Sequence, residues 1–351
     1  MVRVKLIGAG GYGGVGFVEL ACRHPQVELA ALVDVQDVGR KLSDVWPHLA
    51  GFCDLPLVAP DSPQAADDAD VVVCATPDGV GQAVAPQALA AGARCIDYSG
   101  DFRFADPGLY AEYARRIGRA PEHASPQVLE QSVYGLPELH RGAIRGAHVV
   151  GNPGCFAVSC ILALAPAVRE RCLLREGIAC DCKTGISGAG KKPRPGFHYP
   201  ESYEAARAYK LAGHQHVMEI EHELSLLAED NVRVAFTPQV VPMARGILST
   251  VYGRLAEGMS QARALEAYQS FYQDERFVRV LGPDAAAGTD QVRGSNFAIV
   301  QVACDERTGT FRAMSYIDNL VKGQAGNAMQ NLNILFDLDE ALGLDQPGAH
   351  P

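Results

Sequence analysis

A glycine-rich segment, residues 8–14 (GAGGYGG), constrains the fold of this chain more than any other feature of its sequence. It follows a short apolar run, residues 2–7, and precedes a segment of helical character, residues 15–23. A second apolar run, residues 27–33, completes a strand–helix–strand unit, and such a unit places its two strands parallel in a buried sheet.

Within this unit, Gly8, Gly10 and Gly13 have the spacing of the dinucleotide fingerprint GxGxxG. Glycines at this spacing allow a tight turn, a close approach of the pyrophosphate and close packing of the helix on the strand. The pyrophosphate then lies at the positive end of the helix. We therefore expect the turn to bind a dinucleotide cofactor, the alternative being a glycine-rich turn without a ligand; the residues expected to contact the cofactor are Gly8, Gly10, Gly11, Tyr12 and Gly13.

The end of the second apolar run bears on which cofactor is bound. Asp34 stands there, and an acidic residue at this place usually accepts a hydrogen bond from the ribose 2′-hydroxyl of NAD and repels a 2′-phosphate. Arg40 and Lys41 follow closely and offer positive charge that can neutralise a phosphate. The residues alone favour NAD mildly and leave NADP open.

Further apolar runs and helical segments predict two domains in a chain of 351 residues. Residues 1–150 are expected to form a doubly wound α/β nucleotide domain, completed by a C-terminal helix within about 320–351. Residues 151–319 are expected to form an α+β domain with a mostly antiparallel sheet. The predicted strands of the second domain are residues 178–186, 232–241, 247–255, 297–304 and 310–317; its predicted helices are residues 155–168, broken near Pro166, 217–228 and 259–272.

Composition excludes several classes of protein. Asp and Glu number 41 against 31 Lys and Arg, so the net charge is −10, and such an acidic chain is a poor partner for nucleic acid or a membrane surface. No apolar run approaches the roughly 18 residues of a membrane span, and we expect no signal peptide. The 10 cysteines are too few for a disulfide scaffold and form no CxxC pair. We therefore expect reduced thiols and a cytoplasmic location.

Cys155 differs from the other cysteines because it opens an apolar helix directly after Gly151-Asn152-Pro153-Gly154. In the first turn of a helix the unpaired amides and the helix dipole lower the pKa of a thiol and favour the nucleophilic thiolate. The same amides can hold an oxyanion when the sulfur attacks a carbonyl. Position alone leaves two interpretations open, a nucleophile or a packed thiol.

His214 and His216 stand at the start of an amphipathic helical segment. No third ligand lies at metal spacing, so no metal is expected. One imidazole beside the Cys155 thiolate can exchange a proton during catalysis, as in Cys–His pairs. The alternative is a pair of surface histidines that cap the helix.

Two further groups of residues suit anions. The segment Ser187-Gly188-Ala189-Gly190-Lys191-Lys192 offers flexible amides followed by two cations, which fits a phosphate, although a solvated basic loop is the alternative. Arg103 and Arg245 can each hold a carboxylate through two parallel hydrogen bonds.

Taken together, five segments resemble the N-acetyl-γ-glutamyl-phosphate reductase family: GNPGCFA (151–157), SGAGKK (187–192), GHQHVMEI (213–220), PMARGI (242–247) and DNLVKGQAGNAMQNLN (318–333). The resemblance implies a Rossmann-type domain joined to a catalytic and oligomerisation domain. It also implies NADPH-dependent reduction of N-acetyl-γ-glutamyl phosphate to N-acetylglutamate 5-semialdehyde and phosphate, in arginine biosynthesis, through a cysteine thioester. The alternative enzyme is the analogous reductase of lysine biosynthesis, which acts on a carrier-linked aminoadipyl phosphate.

The resemblance also implies roles for individual residues. Cys155 becomes the nucleophile, and one of the paired histidines becomes the acid/base, with His216 favoured over His214 because it lies closer to the helix. The cofactor is expected to be NADP(H), with NAD(H) possible because of Asp34, and the protein is expected to be a homodimer or homotetramer. Substrate contacts are expected from Arg103, Asn152, Lys191 and Arg245, and cofactor contacts from Pro77, Ser187, Gly188, Asn319, Lys322 and Gly323.

The chain departs from the family pattern just after the nucleophile. Val158 and Ser159 stand where the family usually has a Thr followed by a small residue, so no hydroxyl is available at 158. Two other classes of protein compete with the enzyme. A catalytically silent nucleotide-binding sensor requires an unreactive Cys155, and a metal-dependent hydrolase requires His214 and His216 to bind a metal.

Overall fold

The computed structural model describes residues 1–66 and 68–350. The chain divides into two compact units, the first comprising Met1–Pro153 with Gln324–Asp345 and the second comprising Gly154–Gly323 with Gln346–Pro351. The sequence places the first boundary after residue 150 and gives the whole C-terminus to the first domain. In the structure Asn152 and Pro153 stay with the first unit, and the last residues of the chain return to the second.

The first unit contains a seven-stranded sheet in which every paired strand runs parallel, in the order β3-β2-β1-β4-β5-β7-β6. Strand β4 is apolar and completely buried, as expected for a parallel sheet covered on both faces, whereas β1 alternates buried and half-buried residues. Its strands are β1 (Val2–Ile7), β2 (Val27–Val33), β3 (Leu57–Val58), β4 (Val71–Cys74), β5 (Arg94–Asp97), β6 (Ser132–Tyr134) and β7 (Val149–Gly151).

Helices connect these strands, as a parallel sheet requires. They are α1 (Tyr12–Ala21), α2 (Leu42–Val45), α3 (Gly81–Ala90), α4 (Pro107–Arg116), α5 (Pro126–Leu129) and α6 (Pro137–Arg145). The strand order reverses between β1 and β4, and in doubly wound sheets a ligand binds in the crevice at the carboxyl ends of the strands on either side of such a reversal. The glycine-rich segment lies at that edge, directly after β1.

The second unit also contains a seven-stranded sheet, in the order β12-β13-β14-β11-β8-β10-β9. The pairs β12–β13 and β8–β10 are parallel and the other pairs are antiparallel, so the sheet is mixed and mostly antiparallel. Its strands are β8 (Ile178–Thr184), β9 (Arg207–Ala208), β10 (Val234–Val240), β11 (Ile247–Arg254), β12 (Val278–Leu281), β13 (Ala298–Asp305) and β14 (Thr310–Ile317), and its helices are α7 (Cys155–Arg169), α8 (Tyr199–Ser202), α9 (His216–Ala228) and α10 (Gln261–Phe271).

The fold class expected from the sequence is confirmed: a doubly wound α/β unit is followed by an α+β unit with a mostly antiparallel sheet. The sequence misses the short edge strands β3, β6, β9 and β12, because two to four residues carry too little periodicity to be recognised. The closing helix α11 spans Gly326–Leu335 and is preceded by a π-helical turn, Val321–Ala325.

Helix α7 runs unbroken to Arg169, so the expectation that Pro166 interrupts it is wrong. Proline cannot donate the hydrogen bond that the carbonyl four residues earlier would accept. Here that carbonyl belongs to Leu162, and the Tyr272 hydroxyl donates to it at 2.7 Å. A side chain from outside the helix replaces the missing main-chain donor, which explains why α7 continues past the proline.

We predict that Tyr272→Phe lowers the free energy of unfolding by about 1–3 kcal/mol, the cost of leaving a buried carbonyl without a donor. Urea unfolding at pH 7 measures this change. Tyr199→Phe is the matched control because Tyr199 is 69% exposed, and we expect it to change stability by less than about 0.5 kcal/mol. Equal effects of the two substitutions would show that the hydroxyl does not support α7.

Among the described residues, no helix is long and apolar enough to cross a membrane. The same part of the chain contains no group of three or more His, Cys, Asp or Glu side chains arranged to hold a metal ion.

Candidate active site

The glycine turn of the first unit has a backbone conformation and close contacts that only glycine can accommodate. Gly8 has a φ of +83°, and a Cβ atom added there would overlap the carbonyl of Ala75. A Cβ at Gly14 would overlap the carbonyl of Gly8, so glycine is also needed for α1 to approach β1 closely. No side chain caps the start of α1. These features fit the pyrophosphate of a dinucleotide, which takes the place of a capping side chain at a helix N-terminus.

Asp34 lies at the end of β2, as expected, and holds the glycine turn. One of its carboxylate oxygens accepts a hydrogen bond from the Gly10 amide at 2.8 Å, and the other accepts from the Val35 and Gln36 amides. Arg40 forms an ion pair with Asp37 at 2.7 Å. Lys41 is exposed near the same end of the sheet.

Trp46, the single tryptophan of the chain, also contacts the glycine turn, and the sequence gives no sign of this contact. Its indole nitrogen donates to the Gly10 carbonyl at 3.2 Å, and its ring lies 5.9 Å from the ring of Tyr12. Gly10 is thus held through its amide by Asp34 and through its carbonyl by Trp46.

Arg103 and Asn152, both expected to bind substrate, are committed to the main chain of the first unit. The guanidinium of Arg103 donates to the carbonyls of Asn152 at 2.9 Å and Tyr98 at 2.6 Å. Asn152 is fully buried; its side-chain amide donates to the Gln324 carbonyl, and its side-chain oxygen accepts from Asn327 and Asn331. Both side chains therefore stabilise the main chain of the first unit.

Pro77, expected near the cofactor, lies exposed in the loop that follows β4. Because β4 lies next to β1 at the reversal of strand order, this loop borders the same edge of the sheet as the glycine turn.

Cys155 is the first residue of α7 in the second unit, and no side chain caps that helix. Its thiol is half-buried, whereas Cys160, one turn later, is completely buried with its sulfur 3.4 Å from that of Cys182. Gly323 lies beside the nucleophile candidate, since a Cβ added there would come within 2.7 Å of the Cys155 Cβ. Only a residue without a side chain fits against Cys155 at this point.

The two histidines occupy different positions relative to Cys155. A Cβ added to Gly154 would come within 2.2 Å of the Nε2 atom of His216, so the imidazole is packed against the residue that precedes Cys155. His214 lies behind it, 4.6 Å from the His216 ring, and also packs on Phe156 and Phe236. Its Nδ1 accepts a hydrogen bond from the His216 amide at 3.2 Å.

The environment of His214 favours the neutral imidazole. The side chain is 4% exposed, and burial, with a smaller effect of Lys210, lowers its pKa to about 4. A neutral ring with an unprotonated Nδ1 matches the hydrogen bond that it accepts. His214 therefore supports the His216 main chain.

Glu219 is a site residue that the sequence analysis missed. It is completely buried, and its carboxylate accepts a hydrogen bond from the Gly154 amide at 2.9 Å. A signal for it exists in the sequence, because His216, Glu219, Ile220 and Glu223 follow the helical spacing of one buried face. A glutamate on such a face needs a partner, and Glu219 has one in the main-chain amide of Gly154, the residue directly before Cys155.

Asn319 ties together two loops of the second unit. Its side-chain oxygen accepts from the Gly246 amide at 2.7 Å, and its side-chain nitrogen donates to the Ser187 hydroxyl at 3.0 Å. Ser187 and Gly188 lie in a short 3-10 turn, Ile186–Ala189, and half-buried Lys191 follows it. The basic loop is thus anchored at its start rather than freely solvated.

Arg245 and Lys322 each have a specific neighbour within the second unit. Arg245 forms an ion pair with the buried carboxylate of Asp318 at 3.0 Å, a partner that the sequence analysis did not foresee. Lys322 is completely buried in the π-helical turn, with its ammonium 5.9 Å from the centre of the Phe277 ring.

Two protein-family models match this chain. Residues 3–147 match the family model described as semialdehyde dehydrogenase, NAD binding domain, and residues 155–319 match the one described as semialdehyde dehydrogenase, dimerisation domain. The N-acetyl-gamma-glutamyl-phosphate reductase of Acetivibrio thermocellus is 41% identical over 99% of both chains. The chain belongs to this reductase family. Its counterpart in Symbiobacterium thermophilum is 43% identical over 99% of this chain and 98% of the relative.

Solved structures of low identity share the fold. The aspartate semialdehyde dehydrogenase II of Vibrio cholerae superposes with a TM-score of 0.72 at 16% identity, covering 96% of this chain and 99% of that one. The aspartate semialdehyde dehydrogenase of Candida albicans, solved with NADP, gives a TM-score of 0.65 at 17% identity, covering 96% and 98% of the two chains.

We predict that His214 makes stability fall as pH drops through the window between about 6.5 and 4. The unfolded chain takes up a proton on this imidazole below about pH 6.5, whereas the folded protein does so only near pH 4, so the unfolded state binds more protons in between. From pH 7 to 5 this residue contributes a loss of about 2 kcal/mol.

Urea unfolding at pH 7 and pH 5 of the wild type and His214→Asn tests this. The variant should show a pH-dependent loss smaller by about 2 kcal/mol. His198→Asn is the control, because His198 is exposed, and it should keep the wild-type dependence. An unchanged dependence in His214→Asn would mean that His214 takes up its proton equally in both states.

Proposed function

We propose that this member of the reductase family reduces N-acetyl-γ-glutamyl phosphate to N-acetylglutamate 5-semialdehyde, releasing inorganic phosphate, as a step of arginine biosynthesis. The observation that carries the proposal is Cys155 at an uncapped helix start, with the His216 imidazole packed on the preceding residue. The full-length relatives named for this activity support the choice of substrate.

In the proposed reaction the Cys155 sulfur attacks the γ-carbonyl carbon, and the carbonyl oxygen acquires negative charge. The free amides in the first turn of α7 would stabilise this charge, as unpaired amides at a helix start do. The C–O bond to phosphate then breaks, phosphate leaves and a thioester remains on Cys155. Because Val158 has no hydroxyl, amides and not a neighbouring side-chain hydroxyl supply this stabilisation.

We propose His216 as the acid/base. It accepts the thiol proton of Cys155 before attack. After hydride has converted the thioester to a tetrahedral oxyanion, the C=O bond re-forms, the C–S bond breaks, the sulfur takes the proton back from His216 and the aldehyde leaves. His214 is the weaker candidate because its Nδ1 is already bonded to the His216 amide and burial disfavours its charged form.

The nicotinamide cofactor, when bound, supplies the hydride. The glycine turn, with Tyr12 and Asp34, would hold it in the first unit. We propose NADP(H), with exposed Lys41 and neighbouring Arg40 as the positive charges for a 2′-phosphate. NAD(H) is the second candidate because the Asp34 carboxylate, although bonded to three main-chain amides, still lies at the end of β2.

For the substrate we propose Arg245 and Lys191 as the binding cations, with the Ser187–Gly190 amides beside the phosphate. Arg245 keeps part of its guanidinium accessible, since its side chain is 31% exposed in spite of the ion pair with Asp318. Arg103 and Asn152 are proposed as supports and no longer as substrate ligands, because main-chain groups of the first unit occupy them.

We propose that the first unit binds the cofactor and that the second carries catalysis and homodimer or homotetramer formation. Helix α7 covers one face of the second sheet, while residues such as Tyr252 and Arg254 of β11 are exposed on the other face. The description of the matching family model as a dimerisation domain supports this surface as the interface. The 10 free thiols fit a reducing, cytoplasmic environment.

We predict that Cys155→Ser abolishes the reverse reaction, in which N-acetylglutamate 5-semialdehyde and phosphate reduce NADP or NAD. A serine hydroxyl is a far weaker nucleophile at neutral pH than a thiolate, so no acyl enzyme forms. Absorbance at 340 nm follows the reaction with each cofactor, and a higher kcat/KM with NAD would replace NADP by NAD in the proposal.

Cys304→Ser is the matched control, since Cys304 lies on strand β13, and it should keep activity within about twofold of the wild type. Near-wild-type turnover of Cys155→Ser would rule out the covalent mechanism.

We predict that Glu219→Ala lowers kcat about 10- to 100-fold with little change in KM, because the main-chain amide of Gly154, the residue before Cys155, loses its acceptor. Glu219→Gln keeps an oxygen acceptor and should recover activity to within about fivefold. Glu221→Gln is the control on the same helix, since that carboxylate pairs with Arg233. Equal losses in Glu219→Ala and Glu219→Gln would assign the effect to charge instead of to the Gly154 hydrogen bond.

A further inference from the structure

Two loops of the first unit, which follow the neighbouring strands β4 and β5, hold each other by exchanging hydrogen bonds to carboxylates. Both oxygens of Asp101 accept from the Gly79 amide, at 2.9 and 2.7 Å. In return, the carboxylate of Asp78 accepts from the Gly100 amide at 2.9 Å. We call these four residues the carboxylate clasp.

Asp101 and Gly100 of the clasp are buried, whereas Asp78 and Gly79 are half-buried. Asp101 is completely buried, and it also accepts from the Gln82 amide in the first turn of α3. Asp78 accepts a second hydrogen bond, from the Tyr113 hydroxyl at 2.8 Å. A Cβ on Gly100 would overlap the Tyr113 ring, so that position has room only for glycine. Hydrogen bonds with the loop after β5 therefore fix the loop after β4 at Asp78 and Gly79.

This loop lies at the place where a dinucleotide crosses the sheet. The strand order reverses between β1 and β4, and the two halves of a dinucleotide lie on opposite sides of such a reversal. The glycine turn and Asp34 belong to the β1–β2 side, which takes the pyrophosphate and the adenosine ribose. The loop after β4 is therefore placed to contact the nicotinamide half. This loop begins at Ala75, whose carbonyl contacts Gly8.

We propose that Asp101 and Asp78 are positioning residues for the nicotinamide half of the cofactor. They hold the loop after β4 in one conformation, so that its residues, Pro77 among them, present a preformed surface to that half while the adenosine half is held independently by the glycine turn. The inference rests on the proposed function, because it requires a nicotinamide cofactor in the first unit.

The test compares two ligands that differ only in the nicotinamide. Calorimetric titration gives the Kd of NADP+ and of 2′-phospho-ADP-ribose, and of NAD+ and ADP-ribose in parallel, for the wild type, Asp101→Asn and Asp78→Asn. An asparagine at 101 offers one acceptor oxygen in place of two. We expect the Kd of the dinucleotide to rise about tenfold in Asp101→Asn, the loss of one hydrogen bond's free energy, while the Kd of the fragment stays within about twofold.

Asp106→Asn is the matched control. Asp106 is an exposed carboxylate nearby that caps α4 through the Leu109 amide, and its replacement should change neither Kd. The emission of Trp46, which reports on Gly10 at the glycine turn, should be the same in all variants if the adenosine side is undisturbed. Tyr113→Phe removes only the hydroxyl bond to Asp78 and should raise the Kd of the dinucleotide by a smaller factor, which provides a milder variant.

Other outcomes would overturn the inference. A rise in Kd that is equal for dinucleotide and fragment would mean that the clasp supports the whole unit and not the nicotinamide half. An unchanged Kd for both ligands would remove the positioning role altogether. A wild-type protein that binds neither dinucleotide would overturn the proposed function itself, and the clasp's role with it.

Discussion

The hydrogen bonds of the buried residue Asn152, which lies directly after β7, are the interaction on which the first unit depends. The main-chain amide of Asn152 donates to the main-chain carbonyl of Asp97, and its main-chain carbonyl accepts from the guanidinium of Arg103. Its side chain joins Gln324 to the asparagines of α11. A buried amide with every group satisfied has a single position, because any shift breaks several hydrogen bonds together. Pro153, which follows Asn152 and ends this part of the first unit, has its φ fixed by the ring, so the main chain leaves the sheet with little freedom.

One kind of contact recurs in both units: the main-chain amide of a loop glycine donates a hydrogen bond to an acidic or amide side chain from a distant part of the chain. Asp34 holds Gly10, Asp101 holds Gly79, Glu219 holds Gly154 and Asn319 holds Gly246. Glycine allows the close approach and the unusual backbone, and the hydrogen bond then removes the freedom that glycine would otherwise keep. This use of carboxylates also accounts for part of the acidic composition, since these acidic residues bind the protein's own main chain.

The sequence analysis succeeded where a pattern is local. The strands Val2–Ile7 and Val27–Val33, the glycine turn between them and the helix that Cys155 opens all follow from neighbouring residues. It failed where the deciding partner is distant. Pro166 was expected to break α7, yet Tyr272 from another helix satisfies the freed carbonyl. Only the fold shows that the guanidinium of Arg103 donates to two main-chain carbonyls. In the same way, the role of Glu219 becomes visible only when Gly154 is seen beside it. Local propensity does not encode these long-range pairings.

The first unit is discontinuous, and this has a consequence for how the protein is made. Helix α11 supplies Asn327 and Asn331, which donate to the Gly135 carbonyl and to Asn152. During synthesis these side chains leave the ribosome only after residues Gly154–Gly323 of the second unit have emerged. Until then the sheet of the first unit lacks the helix that covers these buried groups. The first unit therefore remains incomplete while the second unit is translated. Its hydrogen bonds to α11 are among the last to form, although most of the first unit is synthesised first.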